Sequence, residues 1–256
     1  MFPIAQMVME GVRAVPKFAR AYPRQTIAAA LIYAAIAGVS ALVLPQLPIA
    51  FLASGHFKTW LGTLLALVLM APIWTSVYRF VILGDTAHRY WPPDMRSRRV
   101  LTVLAILSVI TLIGGLPFVF VVDLLPRLTV RRLVSVGIVG GALLVKLVFL
   151  WLTLRLAIAA AMAATGTRPN AMDTSFGYTS GAVMRILATK ILVSLPLIVS
   201  VGLFMLAGRL VNAENAVMTH PVTLGVVTAL TAATDFVEAA TFSLIARRLA
   251  RKRPAG

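Results

Sequence analysis

Asp235 and Glu238 are acidic residues three apart inside a long apolar run, 221–246. In a helix that spacing puts both on one side. Lys146 interrupts a second apolar run, 133–164, which also carries Arg155, and Lys190 enters a third, 186–208, from its N-terminal end. Charges in apolar surroundings are costly unless paired or hydrated, so these five residues are where chemistry should be sought. Two kinds fit. Lys146, Asp235 and Glu238 can form a proton or cation relay, or a site for a small polar solute, as in transporters. Alternatively, the same charges pair with one another and fix helix register. Lys190 is placed to reach Glu238. Lys146 and Arg155 are nine residues apart, which is about 180° around a helix, so one acidic face cannot readily hold both.

Other chemistries lack their residues. The histidines are His56, His88 and His220; none belongs to an HExxH arrangement, and no GxSxG occurs. His56 and His220 as a zinc pair lack supporting ligands. Gly137-x-x-x-Gly141 lies in an apolar run and lacks the form of a phosphate loop. With Ala34-x-x-x-Gly38 it reads as small-residue helix packing. Gly114-Gly115 before Pro117 reads as a kink or packing point. No catalytic residue, metal or cofactor is assigned, and the expectation is that the chain is not an enzyme. There is no cysteine, so disulfides and thiol chemistry are excluded.

The elements that carry these residues are set by hydropathy. Sixty per cent of the residues are hydrophobic and 12% charged, about half the charged share of a soluble domain. A bilayer core about 30 Å thick needs about 20 apolar residues as helix. Six runs qualify: 26–44, 59–83, 100–122, 133–164, 186–208 and 221–246. Alternating strands of the β-barrel kind are absent. The prediction is an all-α bundle of about six transmembrane helices forming one integral membrane domain over 1–256. Pro72, Pro117 and Pro196 supply possible breaks in the second, third and fifth spans.

Basic residues give the bundle a direction, because cytoplasmic loops carry excess Lys and Arg. With the N-terminus inside, eighteen of the 24 basic residues fall on the inner side and five on the outer, with Lys146 mid-span. Both termini are therefore expected in the cytoplasm. The loop around 123–132, with Arg127, Arg131 and Arg132 against Asp123, is the one place that opposes this orientation. The chain reads as three hairpins returning near Arg79, Arg155 and Arg247, a layout that either an internal repeat or charge bias alone would give. Arginine outnumbers lysine, 19 to 5, and alanine is abundant, which fits a GC-rich bacterial genome and hence an inner (plasma) membrane.

Residues 2–24 read as a helix lying on the membrane surface. Glu10, Arg13, Lys17, Arg20 and Arg24 recur every three or four residues, opposite Ile4, Val8, Val12, Val15, Ala19 and Tyr22. Pro16 should kink it. The net charge of +16 is better explained by orientation and anionic lipid than by nucleic acid, because the charges flank the spans. Arg79, Arg89, Arg96, Arg98 and Arg99, with Arg247, Arg248 and Arg251 of the basic tail 247–256, form the candidate surface for anionic lipid or a protein partner. In the second polar inner segment, Asp173, Thr174 or Ser175 could cap a helix.

At these segments the chain resembles a group of bacterial six-span membrane proteins that are similar to the membrane domain attached to some glycerophosphodiester phosphodiesterases. The residues that carry the resemblance are Arg79-Phe80 with Gly84-Asp85, Arg155-Leu156-Ala157, and Ser175-Phe176-x-x-Thr179-x-Gly181. The chain departs from the pattern where Ala159–Ala161 replaces an expected proline and Phe176 an expected tryptophan. The resemblance implies a helical inner-membrane module; it brings no catalytic residues, and no phosphodiesterase domain is present. The expected role is a non-enzymatic organiser of lipid or partners at the cytoplasmic surface. The alternative is a small-solute or ion transporter with its site around Lys146, Asp235 and Glu238. Substrate, partner identity and oligomeric state are not written in the residues.

Overall fold

The computed structural model describes residues 3–42, 55–85, 94–124, 132–166, 170–210 and 220–252. They form α1 (Ile4–Ala21), α2 (Pro23–Leu42), α3 (Gly55–Leu83), α4 (Met95–Leu124), α5 (Arg132–Arg155), α6 (Ala159–Thr165), α7 (Ala171–Tyr178), α8 (Val183–Leu210) and α9 (Pro221–Lys252). No strand occurs among them. Helix is what such sequences must adopt in hydrocarbon, where every backbone N–H and C=O needs a partner within the segment. Five stretches, in α3, α4, α5–α6, α8 and α9, are long and apolar enough to cross a membrane, which makes this a multi-pass membrane protein. α2, with 20 residues and hence about 30 Å of length, covers the first predicted span and is long enough to be a sixth crossing. Residues 43 and 44 of that span, the loop 125–131, Arg89, His88, Arg168 and the tail beyond Lys252 lie outside the described residues.

Local chemistry sets several helix ends. The Asp94 carboxylate accepts from the Ser97 N–H (2.8 Å) and hydroxyl (2.9 Å), capping α4. His220 Nδ1 accepts from the Val222 N–H at 3.3 Å beside Pro221, the first residue of α9. This gives His220 a structural task. Gly84 (φ 70°) ends α3 and Gly166 (φ 67°) ends α6, both in the left-handed region that glycine enters without penalty. Pro72, Pro117 and Pro196 lie inside α3, α4 and α8 without ending them, so none supplies the break that the sequence allowed for; Pro16 likewise lies inside α1.

The break falls elsewhere, inside the predicted span 133–164. After Arg155 the hydrogen bonds tighten to a spacing of three, Ala157 N–H to Leu154 O and Ala159 N–H to Leu156 O, and the axis turns into α6. Burial supplies the reason. α5 is exposed over consecutive residues from Leu143 to Val148, whereas Leu156, Ile158–Ala161, Ala163 and Ala164 are buried. A straight helix could not pass from surface to core within one turn. The small alanines let α6 sit against α3, α4 and α9.

The core lies at one end of the bundle, where α1, the C-terminal halves of α3 and α9, the start of α4 and α8, and α6 converge. Phe18 packs there among Tyr22, Phe80 and Phe236 with ring centres 5.1–5.9 Å apart, and Trp74 lies 4.9 Å from Phe236. Half of the apolar window of α3 is buried (50%), against 11–17% for the other four spans, so α3 is the central post.

α1 is amphipathic as predicted, but the face that it buries is Met7, Val8, Gly11 and Phe18, while Val12 is exposed. It docks on α9 rather than only resting on a lipid surface. A Cβ on Gly11 would overlap the Thr241 hydroxyl, so glycine permits this approach. The close approaches expected at Gly137–Gly141 and Gly38 are not made with the described residues, since a Cβ at any of these would meet nothing among them within 4 Å. A small-residue pattern permits helix contact but does not choose the neighbour. Gly114 is a packing point, set against Phe149 of α5.

Candidate functional site

The charges in α9 are met from both sides. A spacing of three leaves Asp235 and Glu238 about 60° apart around the helix axis, enough to address different neighbours. Asp235 Oδ2 accepts a hydrogen bond from the Tyr33 hydroxyl of α2. Glu238 Oε1 accepts from Lys190 Nζ of α8 at 2.6 Å, the reach that the sequence allowed. The two side chains are 40% and 21% exposed, so this pair lies at the edge of the packed region, not deep within it. α9 is thereby tied to α2 and α8 at neighbouring turns. Nothing in the sequence marks Tyr33 as a site residue. It is one of three hydroxyl side chains on α2, with Thr26 and Ser40, and carries no hint of a partner 202 residues away.

Lys146 is exposed on α5, which packs on α4 and α8, and the structure does not bring it to Asp235 or Glu238. Arg155 is also apart from them. Its side chain lies over the Phe176 ring at 4.0 Å and the Trp151 ring at 5.3 Å. Its carbonyl, released from helical bonding by the break, accepts from the hydroxyls of Ser175 (2.9 Å) and Thr179 (2.8 Å), both fully buried. Ser175 therefore closes the end of α5 instead of capping α7, whose N-cap Asn170 makes no side-chain bond. Short patches that are far apart in sequence, Arg155 with Ser175, Phe176 and Thr179, thus become one joint.

The arginines of the candidate surface divide into two groups. Arg79 turns inward, donating from Nε to Asp85 at 2.9 Å and from its terminal nitrogen to the same oxygen, while the Asp85 carbonyl accepts from the Tyr22 hydroxyl at 2.9 Å. Gly84 makes the reversal that returns Asp85 to Arg79. Arg248 bridges both oxygens of Glu10 at 3.0 and 3.1 Å, clipping α1 to the end of α9. These two are structural contacts. Arg96, Arg98, Arg99, Arg247 and Arg251 are exposed, as are Arg13, Lys17, Arg20 and Arg24 on α1 and the start of α2. Those of α2, α4 and α9 belong to helix ends that meet at the packed end of the bundle, and α1, which carries the others, docks there.

Among the described residues no group of three His, Asp or Glu side chains is arranged to hold a metal. No protein-family model matches the chain, and no curated protein or solved structure matches it either.

Proposed function

We propose that this chain is a non-enzymatic membrane module whose packed, basic end faces the cytoplasm and gathers anionic lipid. The observation that carries the reading is an imbalance of charge at that end. Its carboxylates Glu10, Asp85 and Asp94 are committed to Arg248, Arg79 and the α4 cap, and Asp173 alone is exposed. The exposed cations of α1, α4 and α9 therefore have few internal partners to neutralise them. Near-surface basic residues gain about 1 kcal/mol each from an anionic leaflet, and excess Lys and Arg mark the cytoplasmic side. The docked face of α1 holds Arg13, Lys17 and Arg20 on its opposite side, the arrangement of an interfacial helix that is also packed on the protein.

A transport reading has less support. Asp235 and Glu238 both have partners inside the chain, Lys146 stands away from them, and the carbonyl released at the α5 break is closed by two hydroxyls. Those are the features of charges and polar groups used to hold helices together.

Lipid composition around the purified protein tests the proposal. The wild-type chain should retain anionic over zwitterionic phospholipid, and the variant Arg98→Gln/Arg99→Gln/Arg247→Gln/Arg251→Gln should lose most of that preference with its fold intact. Equal retention of anionic lipid by both proteins would sink the reading.

A further inference from the structure

We propose that Arg155, Trp151 and Phe176 form a site for the phosphate group of a single phospholipid at the joint of α5 and α7. The Arg155 guanidinium is held against two rings, and the rings themselves meet edge to face, 5.8 Å apart at 86°. Ring faces steady a cation but accept none of the hydrogen bonds that a guanidinium offers. Arg155 Nε is buried and has no hydrogen-bond partner among the described residues. The Ser175 and Thr179 hydroxyls of the joint meet the Arg155 carbonyl, not its side chain. Glu10, Asp85 and Glu238 are engaged by Arg248, Arg79 and Lys190. A buried N–H without an acceptor is costly, so no hydrogen bond from the described residues holds this guanidinium, and its terminal nitrogens, on a half-buried side chain, are left to meet an acceptor from outside the chain. A guanidinium fixed by stacking presents its remaining donors as a planar fork, which suits the paired oxygens of a phosphate.

The surroundings indicate where that phosphate comes from. Leu144, Leu147, Val148 and Trp151 are exposed and recur every one to three residues along the side of α5 that leads to Arg155. An acyl chain laid on this stripe would carry its phosphate to the arginine, beside a tryptophan of the kind found at headgroup level. A free phosphate would leave the stripe uncovered. The inference rests on the lipid reading above but is separable from it. The exposed arginines of α4 and α9 provide diffuse attraction that salt weakens, whereas Arg155 provides one stacked, partly shielded contact.

The test uses the full chain, delipidated in detergent, with native mass spectrometry counting bound molecules. Dioleoylphosphatidylglycerol, dioleoylglycerol (the same tails without phosphate) and inorganic phosphate are the probes. One phosphatidylglycerol should bind, and Arg155→Gln should weaken it by about tenfold or more, the worth of one charge-assisted hydrogen bond. Phe176→Leu, which keeps the charge and removes a ring, should weaken it in the same direction and carries the test if Arg155→Gln fails to fold. The quadruple arginine variant of α4 and α9 should keep this one site while losing salt-sensitive binding. Unchanged binding in both joint variants, or equally tight binding of dioleoylglycerol, would overturn the site. Displacement of the lipid by inorganic phosphate would overturn the lipid as its source.

Discussion

α5 and α6 are consecutive in the chain and similarly apolar, yet one is largely exposed and the other is enclosed. Over α5 the large residues Leu144, Leu147 and Val148 are more than half exposed; over α6 the alanines 159, 160, 161 and 164 are at most 2% exposed. The difference repeats across the molecule. At the α6 end, aromatic rings, alanines and tied charges fill the space between helices; at the other end the helices present leucine, isoleucine and valine outward. Hydrophobicity alone does not distinguish these regions, because lipid tails are as apolar as leucine and give helices no drive to associate. What makes an end close-packed is small residues, complementary shapes and polar ties, and all three collect at the basic end.

This contrast can be broken by substitution. The largest effect is expected at Phe18. Replacing it with alanine removes a ring set among three others and should cost about 3–5 kcal/mol, read as a lower unfolding midpoint in detergent. The matching change Leu144→Ala, at 66% exposure, should leave the midpoint within about 0.5 kcal/mol of wild type. Similar losses at both positions would abolish the distinction between the two ends.

Next is the Lys190–Glu238 tie. Lys190→Met strands a carboxylate among apolar helices and should cost about 2–3 kcal/mol, below the full penalty of a completely buried pair because Lys190 is 40% exposed. Adding Glu238→Met should restore much of it. A double substitution as unstable as the single one would show that the pair has a role beyond balancing charge. Gly11→Ala should cost about 1–3 kcal/mol by pushing α1 off Thr241, whereas Gly137→Ala, with open space around it, should be neutral or slightly stabilising. The smallest effect is expected for Arg248→Gln, below about 1 kcal/mol, since Arg248 and Glu10 are each about one-third exposed.

The sequence makes the open end easier to read than the packed one. Span positions follow from the length of the apolar runs, and α3, α4, α8 and α9 contain the predicted segments with a few more residues at their ends. The Lys190–Glu238 contact was accessible because depth in the membrane restricts which charges can meet. The bond from Tyr33 to Asp235 was not, since nothing local in α2 specifies α9. Gly11 carried no pattern, while Gly137–Gly141 carried one that is not used among the described residues. The α5 break was hidden for a related reason. Leu156 to Ala164 are as apolar as what precedes them, and only the assembled bundle separates the helix that faces outward from the one that turns in.

The orientation proposed above, with the packed, basic end on the cytoplasmic side of the membrane, is open to direct measurement. Because the chain has no cysteine, an introduced one is the only thiol that a maleimide can label. Single-cysteine variants Arg251→Cys, at the packed end, and Leu210→Cys, at the other, would be treated with a membrane-impermeant maleimide in intact cells and in inverted vesicles. Position 251 should be labelled only in inverted vesicles and position 210 only in intact cells. Labelling of position 251 from outside intact cells would contradict it.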